Sequence, residues 1–252
     1  MSVPIDVLAH RGCAVAHREN TTAAFAEAVR VGADGIELDV RSSADGRLVV
    51  HHDPLLPDGR VVGRTHSTAF PDYVPLLGEA LDACDGLLVN VEVKSDPSEP
   101  GFVAGEATAR ATAQALAARS RGSAGGPFVV SSFSLSALDT AAEVLADEEV
   151  VAPSPGIARR EHSRIELALL VSSTEADVAR ALGTVVARGW QALHPHFALV
   201  DEGLAGRAAE AGIPLRAWTV DDPEEVRRLR TLGVAAILTD DVAMARSVLG
   251  RS

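Results

Sequence analysis

The chain alternates short runs of β-branched and aliphatic residues with longer alanine-rich stretches of helical character. The apolar runs are predicted strands, at residues 7–9, 35–40, 48–51, 87–93, 128–131, 167–171, 192–194, 215–219 and 236–238. These runs are too apolar to leave one face in water, which is typical of buried parallel strands covered on both sides.

Helices are predicted between the strands, at residues 22–31, 76–83, 102–118, 135–145, 175–188, 202–211 and 224–232. Four of them stop at a glycine, which readily takes the left-handed conformation after a last helical turn: Gly32, Gly189, Gly212 and Gly233. The regular alternation of strands and helices predicts a parallel sheet covered by helices.

The number of strands favours a closed sheet. If residues 35–40 and 48–51 form one element interrupted by the turn at Ala44-Asp45-Gly46, eight strands remain, the number that closes a (β/α)8 TIM barrel. The rival is an open doubly wound sheet, which usually carries Gly-x-Gly-x-x-Gly after its first strand, and that motif is missing there. The length of 252 residues fits a single barrel domain over residues 1–252.

Charge and composition limit the classes of partner that we expect the protein to bind. The net charge is −12 and no basic stripe is present, so we expect no nucleic-acid partner. No apolar run is long enough to span a bilayer, and residues 1–6 lack the pattern of a signal peptide. We therefore expect a cytoplasmic monomer or homodimer without stable membrane insertion.

Carboxylates are concentrated in two neighbouring predicted strands. Glu37 and Asp39 are separated by one residue and face the same side of their strand. Two buried carboxylates repel each other, and each unpaired ion costs several kcal/mol. A hard cation such as Mg²⁺ or Ca²⁺, with Glu92 as a third ligand, would remove that conflict. The alternative is a solvated strand, or ion pairs with Lys94 or Arg11.

Histidines follow two of the predicted strands. His10 follows the first, and His51 and His52 follow the run at 48–51. A histidine pair beside a metal site is suited to donating and accepting protons near neutral pH. Adjacent residues in extended chain alternate faces, so only one of His51 and His52 should line the site. His194 and His196 share a face and could edge it.

Three further side chains are candidates for binding substrate. Arg11 and Lys94 could hold phosphate oxygens, Arg as a fork and Lys as a point charge, or they could simply balance the carboxylates. Trp218 could pack against an apolar or glyceryl part of a substrate, or it could be an ordinary core residue.

These residues belong to an ordered set of short motifs. In chain order the set is His10-Arg11-Gly12, Glu19-Asn20-Thr21, Ala24-Phe25, Gly32-Ala33-Asp34, Glu37-Leu38-Asp39-Val40, Asp45-Gly46, His52-Asp53, Asn90-Val91-Glu92-Val93-Lys94, Ser131-Ser132-Phe133, Ala217-Trp218-Thr219-Val220 and Gly233 through Thr239-Asp240. Each motif alone is weak, but the ordered set is specific. It covers nearly the whole chain and resembles the glycerophosphodiester phosphodiesterases, a family of PLC-like phosphodiesterase TIM barrels.

The resemblance implies a function and a role for each candidate. The family splits a small-molecule glycerophosphodiester into glycerol 3-phosphate and an alcohol, and a neighbouring hydroxyl of the substrate is thought to attack phosphorus. By resemblance the roles are His10 and His52 as the catalytic acid/base pair, Glu37, Asp39 and Glu92 as ligands of Mg²⁺ or Ca²⁺, and Arg11 and Lys94 as phosphate contacts.

Two stretches depart from the family pattern. The insertion after His52-Asp53, at residues 54–75, is short, and residues 150–166 follow no pattern that we recognise.

Two other functions stay open. Related barrels act as lysophospholipase D or sphingomyelinase D enzymes, but we expect no exposed aromatic or leucine-rich loop near the motifs for a lipid to approach. A catalytically inactive ligand-binding barrel is disfavoured because every motif position is filled.

Overall fold

The computed structural model describes residues 5–84, 86–102, 105–121, 127–147 and 165–251, so most of the segment at 150–166 lies outside the described residues. The strands are β1 (Asp6–Ala9), β2 (Gly35–Ser42), β3 (Leu48–Val50), β4 (Leu88–Val93), β5 (Phe128–Ser132), β6 (Ile165–Val171), β7 (Ala192–Pro195), β8 (Arg216–Ala217) and β9 (Ala236–Thr239). The helices are α1 (Thr22–Arg30), α2 (Leu77–Ala83), α3 (Gly105–Ser120), α4 (Leu135–Asp147), α5 (Glu175–Arg188), α6 (Glu202–Ala211), α7 (Pro223–Leu232) and α8 (Val242–Val248).

The parallel strands form a nearly closed barrel. Their order is β7-β6-β5-β4-β2-β1-β9-β8, and single bridges between Leu193 and Leu215 and between His196 and Trp218 connect β7 to β8. The predicted (β/α)8 barrel is therefore confirmed, and the open doubly wound sheet is excluded. Three of the predicted helix-ending glycines, Gly189, Gly212 and Gly233, are left-handed caps.

Two details of the predicted element order were wrong. The run at 48–51 was expected to be parallel, but β3 pairs with β2 in the antiparallel direction, with Val40 opposite Val50. The turn between them, where Gly46 has a φ of 74°, is too short for the long crossover that parallel neighbours require. Helix α8, which is 7 residues long, was missed.

Hydrophobic side chains pack on both sides of the barrel wall. The main core lies between the strands and the surrounding helices and runs from β1 to α8. Two small clusters fill the barrel interior, and their buried members are Leu8, Ala236 and Leu238 in one and Val129, Ala168 and Ala192 in the other. Of the helices in the described ranges, none is long and apolar enough to cross a membrane.

The short insertion after β3 forms a small separate hydrophobic cluster at the rim of the barrel. Val49, Leu56, Val62 and Val74 form its small core. The Arg18 guanidinium lies 4.0 Å from the centre of the ring of Tyr73, which joins the insertion to the loop after β1.

Substituting alanine at two glycines should change stability in opposite directions. A Cβ at Gly35 would lie 2.8 Å from the carbonyl oxygen of Leu88, so we expect Gly35→Ala to destabilise the fold by about 1–3 kcal/mol. Gly183 lies inside α5 with nothing within 4 Å of an added Cβ, so Gly183→Ala should stabilise it by about 0.5–1 kcal/mol. Urea unfolding midpoints test both, and shifts of equal sign would contradict this account of β2 packing.

Candidate active site

The candidate residues meet at the carboxyl ends of the parallel strands, where TIM barrels carry their active sites. A cleft of about 270 Å³ opens there. Seven of the eight predicted site residues line it, namely His10, Arg11, Glu37, His52, Glu92, Lys94 and Trp218. Asp39, which is 1% exposed, lies behind this surface.

Three carboxylates form a compact group at the cleft. Glu37 and Asp39 project from the same face of β2, and Glu92 on β4 stands directly beside Asp39 in the sheet register. One oxygen of each carboxylate lies within 4.8 Å of the other two. The structure thus brings together the three residues that sequence analysis proposed as metal ligands.

The ion pairs considered as the alternative are also present. The ammonium nitrogen of Lys94 lies 2.6 Å from Oε1 of Glu92 and 3.1 Å from Oδ1 of Asp39. Nε of Arg11 lies 3.4 Å from Oδ2 of Asp39. Two cations therefore face three carboxyl groups, one fewer than full ionisation of all three would require.

Asp39 is held in its ionised form. Nδ2 of Asn20 donates to Oδ2 of Asp39 at 2.7 Å, and the Asp39 backbone N–H donates back to Oδ1 of Asn20 at 3.1 Å. Burial alone would raise the pKa of this carboxyl, but Lys94, Arg11 and the Asn20 hydrogen bond outweigh burial and hold the pKa well below its usual range.

Glu37 is less well compensated than Asp39. One of its oxygens accepts the backbone N–H of Arg11 at 3.0 Å, while the other, Oε1, is buried without a hydrogen-bond partner. Burial and repulsion by Asp39 raise the pKa of Glu37. An orphaned buried oxygen, an all-oxygen donor set and too few cations to balance three ionised carboxylates together fit a hard divalent cation.

His10 is fixed by a carboxylate from the far end of the chain. Its Nδ1 lies 2.7 Å from Oδ1 of Asp240, and its Nε2 lies 4.0 Å from Oε2 of Glu37. Burial would lower the pKa of His10, but the hydrogen bond to Asp240 and the charge of Glu37 prevail and raise it. Nε2 is therefore the nitrogen directed toward the carboxylate group.

Of the adjacent histidines after β3, the structure places His52 in the cleft. Nδ1 of His52 lies 2.8 Å from Oδ1 of Asp53. Nε2 of His51 lies 3.3 Å from the carbonyl oxygen of Leu55, and His51 does not line the cleft. Each cleft histidine thus has its Nδ1 on an aspartate, which leaves Nε2 for exchange of a proton.

A tight turn after β1 places Arg11 over the carboxylates. Arg11 has a φ of 55°, an uncommon left-handed conformation for a side-chain-bearing residue. Its guanidinium donates to both oxygens of Glu19 at 3.1 Å. At Gly12, which has a φ of 85°, a Cβ would lie 2.7 Å from Cβ of Ala24, so only glycine fits beside α1.

Trp218 forms part of the cleft wall and packs against two other aromatic rings. Its indole N–H donates to the carbonyl oxygen of His194 at 2.8 Å. The rings of His196 and Phe133 meet it edge to face, with centroids at 5.5 Å and 5.6 Å. His194 and His196 support Trp218 and do not themselves line the cleft.

Exposed aromatic side chains stand beside the cleft, contrary to expectation. Phe133 is 47% exposed and Phe102 is 40% exposed. Both line a groove of about 740 Å³ that also reaches Glu92 and Lys94. The expectation that no exposed aromatic residue lies near the motifs was wrong, because the strand-end position of Phe133 carried no sign of its outward direction.

Asn20 and Asp240 were quoted within the motifs, but their roles were missed. The signal for Asp240 was available, since barrel closure sets β9 beside β1 with Ala9 opposite Thr239, so the following residues, His10 and Asp240, must be neighbours. No comparable signal marks Asn20, whose contact with Asp39 depends on the path of a loop.

Comparisons with known proteins agree with this geometry. The profile of the Glycerophosphoryl diester phosphodiesterase family matches residues 10–65 and 58–244. The chain is 28% identical to a glycerophosphodiester phosphodiesterase of Caldanaerobacter subterraneus, over 93% of each chain. It is also 28% identical to the uncharacterized protein YqiK of Bacillus subtilis, over 96% of this chain and 98% of YqiK.

A solved structure shares the fold. An Oleispira antarctica phosphodiesterase, in complex with the product sn-glycerol-3-phosphate, superposes with a TM-score of 0.80 at 23% identity. The match covers 98% of this chain and 97% of that one.

The two hydrogen bonds between Asn20 and Asp39, called here the Asn20 clamp, can be tested by comparison with a second buried asparagine, Asn90. Asn20→Ala leaves a buried N–H and a buried carboxylate oxygen of Asp39 unpaired, which we expect to cost about 1–3 kcal/mol for each group. Asn90 is equally buried but its amide has no hydrogen-bond partner, so Asn90→Ala should cost less. Urea unfolding of both variants measures the difference, and equal losses would show that the clamp contributes nothing.

Proposed function

The chain belongs to the glycerophosphoryl diester phosphodiesterase family and is a phosphodiesterase, and we propose that it hydrolyses glycerophosphodiesters to glycerol 3-phosphate and an alcohol. The observation that carries this proposal is the convergence of two aspartate-bound histidines and three carboxylates on one cleft. Histidines supply the proton transfers of phosphodiester hydrolysis, and the carboxylates supply a cation site.

We propose Glu37, Asp39 and Glu92 as the ligands of Mg²⁺ or Ca²⁺. The three carboxylates outnumber Lys94 and Arg11, so a divalent cation would balance them and provide a positive charge for an anionic phosphodiester. When bound, such an ion supplies charge stabilisation to phosphate oxygens. The choice between the two metals is left to the assay below.

His10 and His52 divide the proton transfers. One imidazole removes the proton from the glycerol hydroxyl next to the phosphoester, and that oxygen attacks phosphorus. The bond from phosphorus to the alcohol oxygen breaks, and the other imidazole gives its proton to that oxygen. Water then opens the cyclic phosphate while the two histidines exchange roles, which restores both protonation states.

Arg11 and Lys94 are placed to bind the phosphate, and Trp218 to contact the substrate. Arg11 lines the cleft, and among the described residues its Nη2 makes no hydrogen bond, so a phosphate oxygen could bind there. Lys94 already neutralises Glu92 and Asp39, and a metal ion bound there would release its ammonium group for the phosphate. Trp218 offers an apolar wall for the glyceryl part.

Substitution should separate metal binding from proton transfer. We expect His10→Ala and His52→Ala to lower turnover of glycerophosphocholine by about 10²–10⁴-fold while metal affinity is kept. Glu37→Gln and Glu92→Gln should lose both. Glycerol 3-phosphate release, assayed with Mg²⁺, Ca²⁺ or chelator, and calorimetric metal titration provide the two readouts.

The control for these variants is Glu27→Gln, which changes a carboxylate on α1 that pairs with Arg30 and does not line the cleft. Normal turnover in the histidine variants would refute the assigned acid/base pair. Metal and ligand binding without any product would indicate an inactive binding barrel.

Hydrolysis of lysophospholipids in the manner of lysophospholipase D is a second candidate, because of the exposed rings of Phe102 and Phe133 beside the cleft. These rings give an apolar surface on which an acyl chain could lie. The surface is small and is interrupted by Asp96, Glu99 and Glu106 in the same groove, so we place soluble diesters first.

A comparison of two substrates decides between these candidates. We expect faster turnover of glycerophosphocholine than of micellar lysophosphatidylcholine, and we expect Phe133→Ser to change both rates by the same factor, since its ring acts mainly as support for Trp218. A lysolipid rate that is higher in the wild type and selectively lost in Phe133→Ser would establish the second candidate instead.

A further inference from the structure

His52 is the less firmly held of the two cleft histidines. Its side chain is 31% exposed, and the partner of its Nδ1, Asp53, is 69% exposed and belongs to the same loop. A contact between adjacent residues of one loop cannot fix that loop relative to the barrel. The position of His52 must therefore depend on another contact.

The backbone carbonyl of His52 is bound by a buried arginine. Nε and Nη2 of Arg41 donate to this oxygen at 2.8 Å and 2.6 Å. Arg41 is 9% exposed and belongs to the same inward row of β2 as Glu37 and Asp39, one further step along the strand. The strand that carries two of the carboxylates thus also holds the histidine loop.

Glu99 completes the arrangement from the loop after β4. Its Oε2 accepts from Nη1 of Arg41 at 2.6 Å, and its Oε1 accepts from Nη2 at 3.0 Å. These contacts use four N–H groups of the guanidinium, so Arg41 is not available to bind a phosphate. The carboxylate also supplies the negative charge that a buried guanidinium requires.

We propose that Arg41 and Glu99 are a positioning pair that fixes His52 for proton transfer. The proposal rests on the catalytic role proposed for His52. Planar geometry lets one guanidinium bind a carbonyl on one edge and a carboxylate on the other, which a lysine ammonium cannot reproduce. A displacement of about 1 Å at a reacting group can cost on the order of 10²-fold in rate.

Turnover of the variants should fall without a change in binding. We expect Arg41→Gln to lower kcat for glycerophosphocholine by about 10–100-fold while KM and the calorimetric metal affinity stay within about twofold. Arg41→Lys should recover only part of that loss. Glu99→Gln keeps the hydrogen-bond acceptor and loses the charge, so its loss should be smaller than that of Arg41→Gln.

Arg251 is the matched control. It also binds a carboxylate and a backbone carbonyl, donating to Asp34 and to Ile5 at 2.6 Å each, but at the amino-terminal end of β1. Arg251→Gln should lower thermal stability and leave kcat unchanged. Equal falls in kcat in the two variants would reduce the effect to general destabilisation and overturn the proposal.

A double-mutant cycle separates this proposal from the one on which it rests. If Arg41 acts through His52, Arg41→Gln should cost nothing further in a His52→Ala background. The residual activity of that background is measured on glycerophosphocholine, whose poor leaving group still requires a proton, at raised enzyme concentration and with long incubation. An equal loss in both backgrounds would overturn the positioning role, whereas full activity of His52→Ala alone would overturn the catalytic role of His52.

Discussion

The burial of two carboxylates side by side is the constraint on which the rest of the site depends. Glu37 and Asp39 are 2% and 1% exposed and share one face of β2. Leaving such ions unpaired would cost several kcal/mol each. Lys94, Arg11 and the amide of Asn20 supply the compensation. The identity of these neighbours therefore follows from electrostatics before any substrate is considered.

The charges of Glu37 and Asp39 are compensated to different extents, and this difference affects the binding of a cation. Asp39 exchanges two hydrogen bonds with Asn20, and its Oδ1, which has no hydrogen bond, lies 3.1 Å from the ammonium nitrogen of Lys94. Oε1 of Glu37 has neither a hydrogen bond nor an ion pair among the described residues. A site with complete compensation would have no affinity left for a cation. The raised pKa of Glu37 also means that a bound cation competes with a proton at that carboxylate, so cation binding would strengthen as pH rises.

Strand parity and order predicted the fold and grouped the candidate carboxylates, whereas the choice of His52 over His51 and the residue roles came from the resemblance to the family. Parity placed Glu37 beside Asp39, and the alternation of elements gave the barrel. The same reasoning did not predict the antiparallel direction of β3, because the length of one turn determines it. It also did not predict the hydrogen bonds between Asn20 and Asp39, because they depend on the path of a loop. Nor could it foresee the exposure of Phe133, since burial at a strand end depends on which loops cover it.

The two cleft histidines are held by different parts of the barrel. Asp240, which binds His10, follows β9, and the pairing of β9 with β1 joins residues at opposite ends of the chain. His52 depends on β2 through Arg41. A shift of β9 would therefore displace the aspartate that holds His10, whereas a shift of β2 would move Glu37, Asp39 and the Arg41 contact of His52 together. That coupling keeps His52 in register with the carboxylates of β2, whereas the pairing of β1 with β2 sets His10 beside Glu37 and β9 supplies the aspartate that holds it.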